Sequence, residues 1–304
     1  MRSLQPQNYD LILFSGPADI RLVLLNFPGG KPPAPVVTYM HESQWTYPSD
    51  ATDRIPHLIN HLETVELCDA VWFNSRFHLN TFHDSAMNHP SPTIRSLATD
   101  ILPVHRKKAR VIYPPVHVAV RKIHRSGPFT ISWSARWEAE KRPDLMIAVV
   151  RTCLDSGLDL TLHILGCREE QWTTHPALDD NVRSIIHPES GFLERNEYEA
   201  VLAKSDVWLS TTEHEYFGVS AIEAAILGAT PVVPAGLAYP ETLPSALMYP
   251  PGDTVAAANC VRPVASAESP FSGAWRVDAL RFRNDAAITK FDDTVLDVVC
   301  HSSA

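Results

Sequence analysis

Short apolar runs alternate with segments of helical spacing along the second half of the chain, and this alternation limits the fold more than any other feature. Strand-like runs are expected at 129–135, 160–166, 182–187, 206–211, 230–233 and 246–249. Segments of helical spacing lie between them at 143–156, 195–204 and 220–227. Strands that alternate with helices form a parallel sheet covered on both faces, and its ligands bind at the carboxyl ends of the strands. The pattern therefore predicts an α/β fold.

The first half follows the same rhythm less regularly. Strands are expected at 11–15, 35–40, 70–74 and 110–113, and helices at 52–67 and 75–82. Prolines and basic residues predict irregular structure over 84–108, and a long irregular connection is expected over 262–289 before a C-terminal helix. A basic Ser-Gly-Pro linker at 121–128 predicts the boundary between an N-terminal lobe, 1–124, and a C-terminal lobe, 125–304.

Composition excludes several classes of protein. A net charge of −9 over 304 residues excludes a strongly basic nucleic-acid-binding sleeve, although a local basic patch remains open. The five cysteines are scattered without a CxxC pair, which predicts a reducing, cytoplasmic setting rather than a disulfide framework or a zinc knuckle. No window approaches 18 uncharged apolar residues, so no membrane span is expected. Glycine-rich phosphate loops of the GxGxxG or P-loop type are absent.

The loop after the strand at 206–211 carries the strongest chemical signal. It contains a glutamate, an aromatic pair, a glycine and a valine: Glu215, Tyr216, Phe217, Gly218 and Val219. Gly218 lets the main chain approach a ligand closely, and the free amides of residues 217–220 at the start of a helix favour an anion. The residues alone leave a second interpretation open, in which Ser220 and Glu223 form a capping box and Glu215 is a solvated carboxylate.

A second polar loop follows the strand at 129–135. Arg136 and Lys141 precede a helix that is expected to begin at Pro143, and paired cations suit a diphosphate, which gains charge as it leaves. The alternative is a solvated loop in which Glu138 and Glu140 neutralise these bases.

Two strand ends of the first half are also polar. His41, Glu42 and Gln44 follow the strand at 35–40, and such a loop is a poor core segment, which favours a site. It is not an HExxH zinc motif, because position 45 is Trp. Asn74 ends the strand at 70–74, where helix capping is an equal alternative to a site.

Together these strings resemble the tRNA-queuosine alpha-mannosyltransferases, a narrow group of glycosyltransferase family 4-like enzymes. The spacing of Glu215 and Glu223 is similar to the Glu-x7-Glu signature of retaining GT-B transferases of that type. The more specific matches, within about residues 8–250, are His41, Glu42, Gln44, Tyr47, Pro48, Phe73, Asn74, Ser75, Arg136, Trp137, Glu138, Lys141, His214, Glu215, Phe217, Gly218, Val219, Glu223, Ala224, Tyr239, Pro240 and Glu241. The sequence departs from the family at Ser43, where Asn is usual, and at Tyr216, where Phe is usual.

The resemblance implies a GT-B fold of two Rossmann-like lobes with parallel sheets, the N-terminal lobe being shortened by its first βα unit. It implies transfer of mannose, with retention, from GDP-mannose to the queuosine nucleoside of tRNA. An inactive nucleotide-sugar-binding remnant and a family 4-like transferase with a lipid or glycan acceptor are the alternatives. A glycoside hydrolase is less favoured, because Glu215 lies beside a phosphate-type site rather than facing a second acid.

The same resemblance implies roles for individual residues. Arg136 and Lys141 would bind the donor diphosphate and Glu223 the ribose, while Glu215 and the turn at 216–219 would hold the donor sugar and phosphate. His41 would lie near the reacting centre, and the acceptor side would carry Glu42, Gln44 and Asn74. No cofactor and no metal are expected, because cationic side chains and a helix end stabilise the leaving group.

The net negative charge of the chain does not favour a tRNA acceptor, because contacts to phosphates dominate the affinity for nucleic acids. The basic residues that could form a local patch are Arg95, His105, Arg106, Lys107, Lys108, Arg110, Arg121, Lys122 and Arg125. A solvated charged loop is the alternative interpretation of this run.

Overall fold

The computed structural model describes residues 9–16, 19–30, 32–46, 54–119, 127–266 and 273–302. The chain divides into two compact units, and the first combines Met1–Pro114 with Ala287–Ala304. The second unit is Pro115–Ala286. This division differs from the predicted boundary at 124/125, and most of the predicted linker, 120–126, lies outside the described residues.

Four parallel strands form the sheet of the first unit in the order β1-β2-β3-β4. The strands are β1 (Ile12–Ser15), β2 (Val36–Met40), β3 (Ala70–Phe73) and β4 (Ala109–Val111). The helices are α1 (Ile20–Leu24), α2 (Ile55–Leu67), α3 (Arg76–Met87) and α4 (Pro92–Lys108). Strands that are neighbours in the chain are neighbours in the sheet, so this sheet winds in one direction. The strands predicted for this half are confirmed.

The prediction of irregular structure over 84–108 is wrong, because α3 continues to Met87 and α4 occupies most of the rest. Pro92 stands in the first turn of α4, where its missing N–H costs nothing. Pro103 lies inside the helix, but the face that includes Ile94, Ala98 and Ile101 is buried against the sheet. Burial of an apolar face at helical spacing outweighs the single hydrogen bond that Pro103 removes.

The C-terminal helix α13 (Asn284–Ser302) explains why the end of the chain groups with the first unit. Phe291, Val295 and Val298 pack against the apolar residues Val37 and Trp72 of the first sheet. Helices α2, α3 and α4 contribute to the core cluster on the opposite set of strand side chains. The first sheet is therefore covered on both faces, one of them by a helix that is distant in sequence.

The second unit contains a five-stranded parallel sheet in the order β6-β5-β7-β8-β9. Its strands are β5 (Phe129–Ser134), β6 (Leu160–Leu165), β7 (Val207–Leu209), β8 (Thr230–Pro234) and β9 (Leu247–Tyr249). Its helices are α5 (Pro143–Asp155), α6 (Glu169–Thr173), α7 (Asp180–Ser184), α8 (Arg195–Lys204), α9 (Val219–Leu227), α10 (Tyr239–Thr242), α11 (Thr254–Ala265) and α12 (Ala274–Leu280). The chain leaves β5 toward β6 on one side and returns to β7 on the other, which creates a topological switch point at β5.

Two predictions for the second half are wrong. The expected strand at 182–187 begins as α7, because the Asp179 side chain accepts the Val182 amide and caps that helix. Only its end pairs with β6, where Ile186 forms an isolated bridge with Leu162. The connection expected to be irregular over 262–289 contains the end of α11, all of α12 and the start of α13. Among the described residues, no helix has both the length and the apolar character needed to cross a bilayer.

Buried histidines predict that the fold loses stability in mild acid. Burial lowers the pKa of His61 to about 4, and burial together with the neighbouring His83 and Lys108 lowers the pKa of His105 to about 3. In the unfolded chain these rings take up protons near the ordinary pKa of about 6.5. The free energy of unfolding therefore falls as the pH drops below 6.5, with a slope of about 1.4 kcal/mol per pH unit for each such histidine.

Urea unfolding at intervals from pH 7 to pH 5.5 measures this slope while most carboxylates remain ionised. We expect a shallower slope in His105→Phe, which removes one buried titrating ring, and an unchanged slope in His117→Gln, since His117 is exposed. Equal slopes in the wild type and His105→Phe would contradict the assignment.

Candidate active site

A cavity of about 220 Å³ opens at the switch point of the second sheet, beside the carboxyl ends of β5 and β7. Its walls include four residues predicted from the sequence, Arg136, Lys141, Glu215 and Gly218. The two polar loops that follow β5 and β7 therefore meet, as the rule for parallel sheets predicts.

Threonine hydroxyls join the two loops. Thr211 Oγ1 accepts the indole N–H of Trp133 at 3.0 Å and donates to the carbonyl oxygen of Lys141 at 2.8 Å. Thr212 Oγ1 lies 3.1 Å from the carbonyl oxygen of Glu140, and the Glu213 amide donates to that same carbonyl at 2.8 Å. These bonds satisfy main-chain groups that would otherwise be buried without partners, and they fix the base of Lys141.

Lys141 reaches from the first loop to the second. Its Nζ donates to the carbonyl oxygen of His214 at 3.1 Å and lies 3.6 Å from Glu215 Oε2. The Lys141 side chain is only 17% exposed, so water screens its charge incompletely. A partly buried cation held by a carbonyl and one carboxylate is suited to a second anion, such as a phosphate.

Arg136 lies at the mouth of the same cavity with two acidic neighbours. Its guanidinium group is 3.0 Å from Glu138 and 3.6 Å from Glu140, and the Arg136 side chain is 61% exposed. The pairing that the sequence left open is therefore present. Arg136 nevertheless lines the cavity, and its ion pair with the exposed Glu138 contributes little.

The turn before α9 already holds an anion in the form of the Glu215 carboxylate. Glu215 Oε1 accepts the amide of Gly218 at 3.0 Å and that of Phe217 at 3.4 Å. Two of the predicted anion-binding amides, those of Phe217 and Gly218, thus point at one carboxylate oxygen. Gly218 is the residue before the helix, and no side chain caps it, so the capping box of Ser220 and Glu223 is not formed.

Gly218 is required by its conformation and by its surroundings. Its φ of +85° is unfavourable for residues with a Cβ, and a Cβ there would lie 3.0 Å from Cε1 of Tyr239. The Tyr239 hydroxyl is held by Ser210 Oγ at 2.9 Å, so the ring is fixed. The sequence indicated Tyr239 only as part of a family motif. In the structure, its ring packs against Gly218 and limits that position to glycine.

The other residues of the predicted turn serve different purposes. Tyr216 is buried and packs edge-on against His214, with ring centroids 4.7 Å apart. Phe217 is buried against Phe282 at 5.2 Å. Val219 is 44% exposed. The aromatic pair therefore anchors the turn in the core.

Glu223 belongs to a buried network beside the cavity rather than to its walls. Its Oε1 accepts from Arg195 at 2.6 Å and its Oε2 accepts from the Tyr198 hydroxyl at 3.1 Å. Burial raises the pKa of Glu223, and the bonds and positive charge of Arg195 oppose that rise. Arg195 also binds Glu199 at 2.7 Å and the carbonyl oxygen of His117 at 2.6 Å.

This network reaches the cavity wall through Ser134. The Tyr198 hydroxyl is 3.4 Å from Ser134 Oγ, which accepts the Trp208 indole N–H at 2.8 Å. Arg195, Tyr198 and Trp208 were not predicted as site residues. The signal for Arg195 and Tyr198 was weak, because they lie on α8, outside both polar loops.

In the first unit, the predicted polar residues gather at the carboxyl ends of β1, β2 and β3. His41 is exposed, and its Nε2 lies 2.9 Å from Ser15 Oγ. Asn74 is buried, donates to the carbonyl oxygen of His41 at 2.8 Å and contacts His78 Nδ1 at 2.9 Å. His78 Nε2 in turn lies 2.8 Å from Ser43 Oγ. Asn74 therefore positions the His41 main chain rather than presenting its own amide.

The remaining predicted residues of this loop lie at its surface. Glu42 is half-buried, and Gln44 is exposed at the start of a short 3-10 turn, Gln44–Thr46. Desolvation of the ring lowers the pKa of His41, and the negative charge of Glu42 opposes this. Tyr47 and Pro48 of the predicted motif lie outside the described residues.

Solved structures of several glycosyltransferases share the architecture. The chain matches TarM with a TM-score of 0.72 at 15% identity, over 96% of this chain and 55% of TarM. It matches the sucrose-phosphate synthase of Thermosynechococcus elongatus with a TM-score of 0.67 at 14% identity, over 96% of this chain and 74% of that one. Likeness at this level of identity shows the fold alone. The predicted GT-B-type α/β fold with parallel sheets is confirmed.

Sequence comparisons match the chain to a family model and to a curated relative. Residues 2–116 match the family model described as tRNA-queuosine alpha-mannosyltransferase N-terminal. The tRNA-queuosine alpha-mannosyltransferase of Drosophila melanogaster is 29% identical over 234 residues, which is 70% of this chain. Both findings show that the chain is similar to the tRNA-queuosine alpha-mannosyltransferases, the family that its motifs resemble. The chain spans 60% of the length of that relative.

Substituting Gly218 tests the geometry of the turn. Gly218→Ala should reduce the free energy of unfolding by about 1–3 kcal/mol, because it combines an unfavourable φ with a contact against a fixed ring. Gly252→Ala is the matched control, since Gly252 has a φ of +81° but no atom within 4 Å of the added Cβ. Thermal or urea unfolding of both variants separates the two effects, and equal losses would show that the Tyr239 contact is unimportant.

Proposed function

We propose that this chain is a retaining glycosyltransferase that transfers mannose from GDP-mannose to the queuosine nucleoside of tRNA. The observation that carries the proposal is the meeting of Arg136, Lys141 and the amide-rich turn before α9 in one cavity, in a chain similar to this family. The cavity supports a site for a doubly charged bridge such as a diphosphate.

In the proposed complex the donor diphosphate lies against Lys141 and Arg136. As the bond between the sugar and the diphosphate breaks, negative charge grows on the departing oxygen, and these cations stabilise it. The amides of Phe217 and Gly218, at the positive end of α9, add to this stabilisation. We propose that no metal ion is needed for this step, since side-chain cations and a helix end supply the positive charge.

The proposed roles of the two glutamates differ. Glu215 lies at the cavity, where it would contact the donor sugar and share the turn with a phosphate. Glu223 is proposed to bind the nucleotide ribose, and Arg195 and Tyr198 hold its carboxylate in place. A hydrolase that uses two facing acids is not supported, because Glu223 does not line the cavity with Glu215.

On the acceptor side, we propose that His41 contacts a sugar or acceptor hydroxyl near the reacting centre. Glu42 and Gln44 would contact the queuosine base, and Asn74 would act by holding the His41 main chain. Contact with tRNA phosphates would use the exposed basic residues Arg106, Lys107 and Arg110 at the end of α4 and in β4. His105 is excluded from that patch because it is buried, and Arg121, Lys122 and Arg125 lie outside the described residues. A cytoplasmic location remains a prediction from the cysteine pattern.

Incubation of the full chain with radiolabelled GDP-mannose and queuosine-containing tRNA tests the proposal. Label on that tRNA, but not on tRNA that lacks queuosine, is the expected result. Turnover only with a lipid or glycan acceptor would overturn the acceptor assignment. Nucleotide-sugar binding without turnover on any acceptor would support an inactive binding protein instead.

Removing the ammonium group of Lys141 should slow transfer strongly. We expect Lys141→Ala to lower kcat/KM by about 10²- to 10³-fold, as for the loss of one preorganised charge-stabilising group. Lys141→Arg should recover part of this loss, and Arg262→Ala, at an exposed position of α11, should have no effect. Unchanged kinetics in a folded Lys141→Ala protein would remove the residue from the site.

His41 should affect turnover more than donor binding. We expect His41→Ala to reduce kcat at least tenfold while the affinity for GDP, measured by calorimetry, stays within twofold, because no donor phosphate role is assigned to this loop. His117→Ala is the control at another exposed histidine. A loss of GDP affinity as large as the loss of kcat would refute the assignment.

A further inference from the structure

We propose that His163, His187 and Glu189 bind one divalent transition-metal ion, such as Zn²⁺, at the edge of the second sheet opposite the cavity described above. This inference does not depend on the proposed function. His163 lies in β6, and the other two residues lie in the segment after α7. Together with Lys204 and Asp206 they line a separate cavity of about 230 Å³.

The three side chains are close enough to share an ion. One potential ligand atom from each lies within 4.8 Å of the other two. The imidazole rings of His163 and His187 have centroids 4.4 Å apart, and His187 Nδ1 is 3.8 Å from Glu189 Oε2. Zinc–ligand bonds of about 2.0–2.2 Å place neighbouring donors closer than this, so side-chain rotations would complete the coordination.

His163 gives the second, independent reason. Its side chain is only 6% exposed, yet its Nδ1 has no hydrogen-bond partner among the described residues. A buried polar atom without a partner is costly, and native proteins usually satisfy it with a hydrogen bond, water or an ion.

Main-chain pairing holds the ligands in place. The amide of His187 donates to the carbonyl oxygen of Leu162 at 2.9 Å, and the amide of Leu162 donates to Ile185 at 2.9 Å. The amide of Ile164 donates to Ser190 Oγ at 3.1 Å. These bonds align the segment after α7 with β6 on both sides of His163, so the ion would cross-link two elements that are already in register.

The donor set favours particular metals. Two imidazoles and one carboxylate suit Zn²⁺, Co²⁺ or Ni²⁺ rather than Mg²⁺ or Ca²⁺, and water would supply a fourth ligand. Two features oppose binding. His187 Nδ1 accepts the Glu189 amide at 3.1 Å, a bond that coordination through this nitrogen would replace, and the nearby Lys204 repels a cation. Asp206 offsets Lys204 only in part, because its Oδ2 accepts the Thr130 amide.

Titration of the chelator-treated full chain with ZnCl₂ tests the site. We expect calorimetry to show one ion per chain, and Zn²⁺ to raise the melting temperature. His187→Ala should weaken binding at least tenfold, and because His187 is half-exposed this variant should fold. His175→Ala is the matched control, since His175 Nδ1 also accepts the amide two residues ahead but lies outside the cluster. Lys204→Gln should tighten binding by removing the repulsive charge.

Substitution with Co²⁺ supplies a spectroscopic check. Bound Co²⁺ should show the intense visible absorption of a four-coordinate site in the wild type and in Lys204→Gln, and lose it in His187→Ala and His163→Gln. Absence of Zn²⁺ binding, or binding that His187→Ala leaves unchanged, would overturn the proposal. Neither result would bear on transferase activity, which is measured separately on tRNA.

Discussion

The carboxyl-terminal edge of the second sheet depends on two threonine hydroxyls. Thr211 and Thr212 follow β7, and their side chains bond to the main chain of the loop that follows β5. That loop is rich in charge, and Trp137 is its one large apolar side chain packed against the core. These hydrogen bonds join the two loops into one wall of the cavity and fix the main chain at Lys141.

Each cation of this wall is accompanied by an acid of the chain itself. Arg136 lies beside Glu138 and Glu140, and Lys141 lies beside Glu215. These pairs keep the positive groups oriented without burying an unpaired charge, which would be costly. They also mean that a polyanionic ligand competes with carboxylates for its partners. The affinity for such a ligand therefore depends on how much stronger its ion pairs with Arg136 and Lys141 are than the existing pairs with the glutamates. Ligands that carry more negative charge than a single carboxylate are favoured.

The sequence was sufficient to predict the sheets and the residues that come directly after their strands. Arg136, Lys141, Glu215 and Gly218 could be predicted because parallel strands bring their carboxyl ends together, whatever the rest of the chain does. The surroundings of Glu223 could not be predicted, because its partners Arg195 and Tyr198 lie on a different helix. Pairings between surfaces of separate helices leave no local pattern in a single sequence.

The errors in the fold have separate causes. The prolines of α4 led to a prediction of irregular structure in spite of its helical spacing. A proline in the first turn of a helix is favourable, and a proline on an exposed face is tolerated when the opposite face is buried. The grouping of α13 with the first unit could not be foreseen either. Its apolar residues Phe291, Val295 and Val298 show that a helix needs a partner, but not which sheet provides it.

The bonds from Glu215 to the main chain of Phe217 and Gly218 have one last consequence. A carboxylate of the protein occupies the place that an external oxyanion would take, so the turn keeps its shape and its charge balance when nothing else is there. An oxyanion that takes over these N–H groups must release the glutamate, and the freed side chain then becomes available to hydroxyl groups nearby. Binding of an oxyanion at the turn would thus free the Glu215 carboxylate to accept hydrogen bonds from ligand hydroxyl groups.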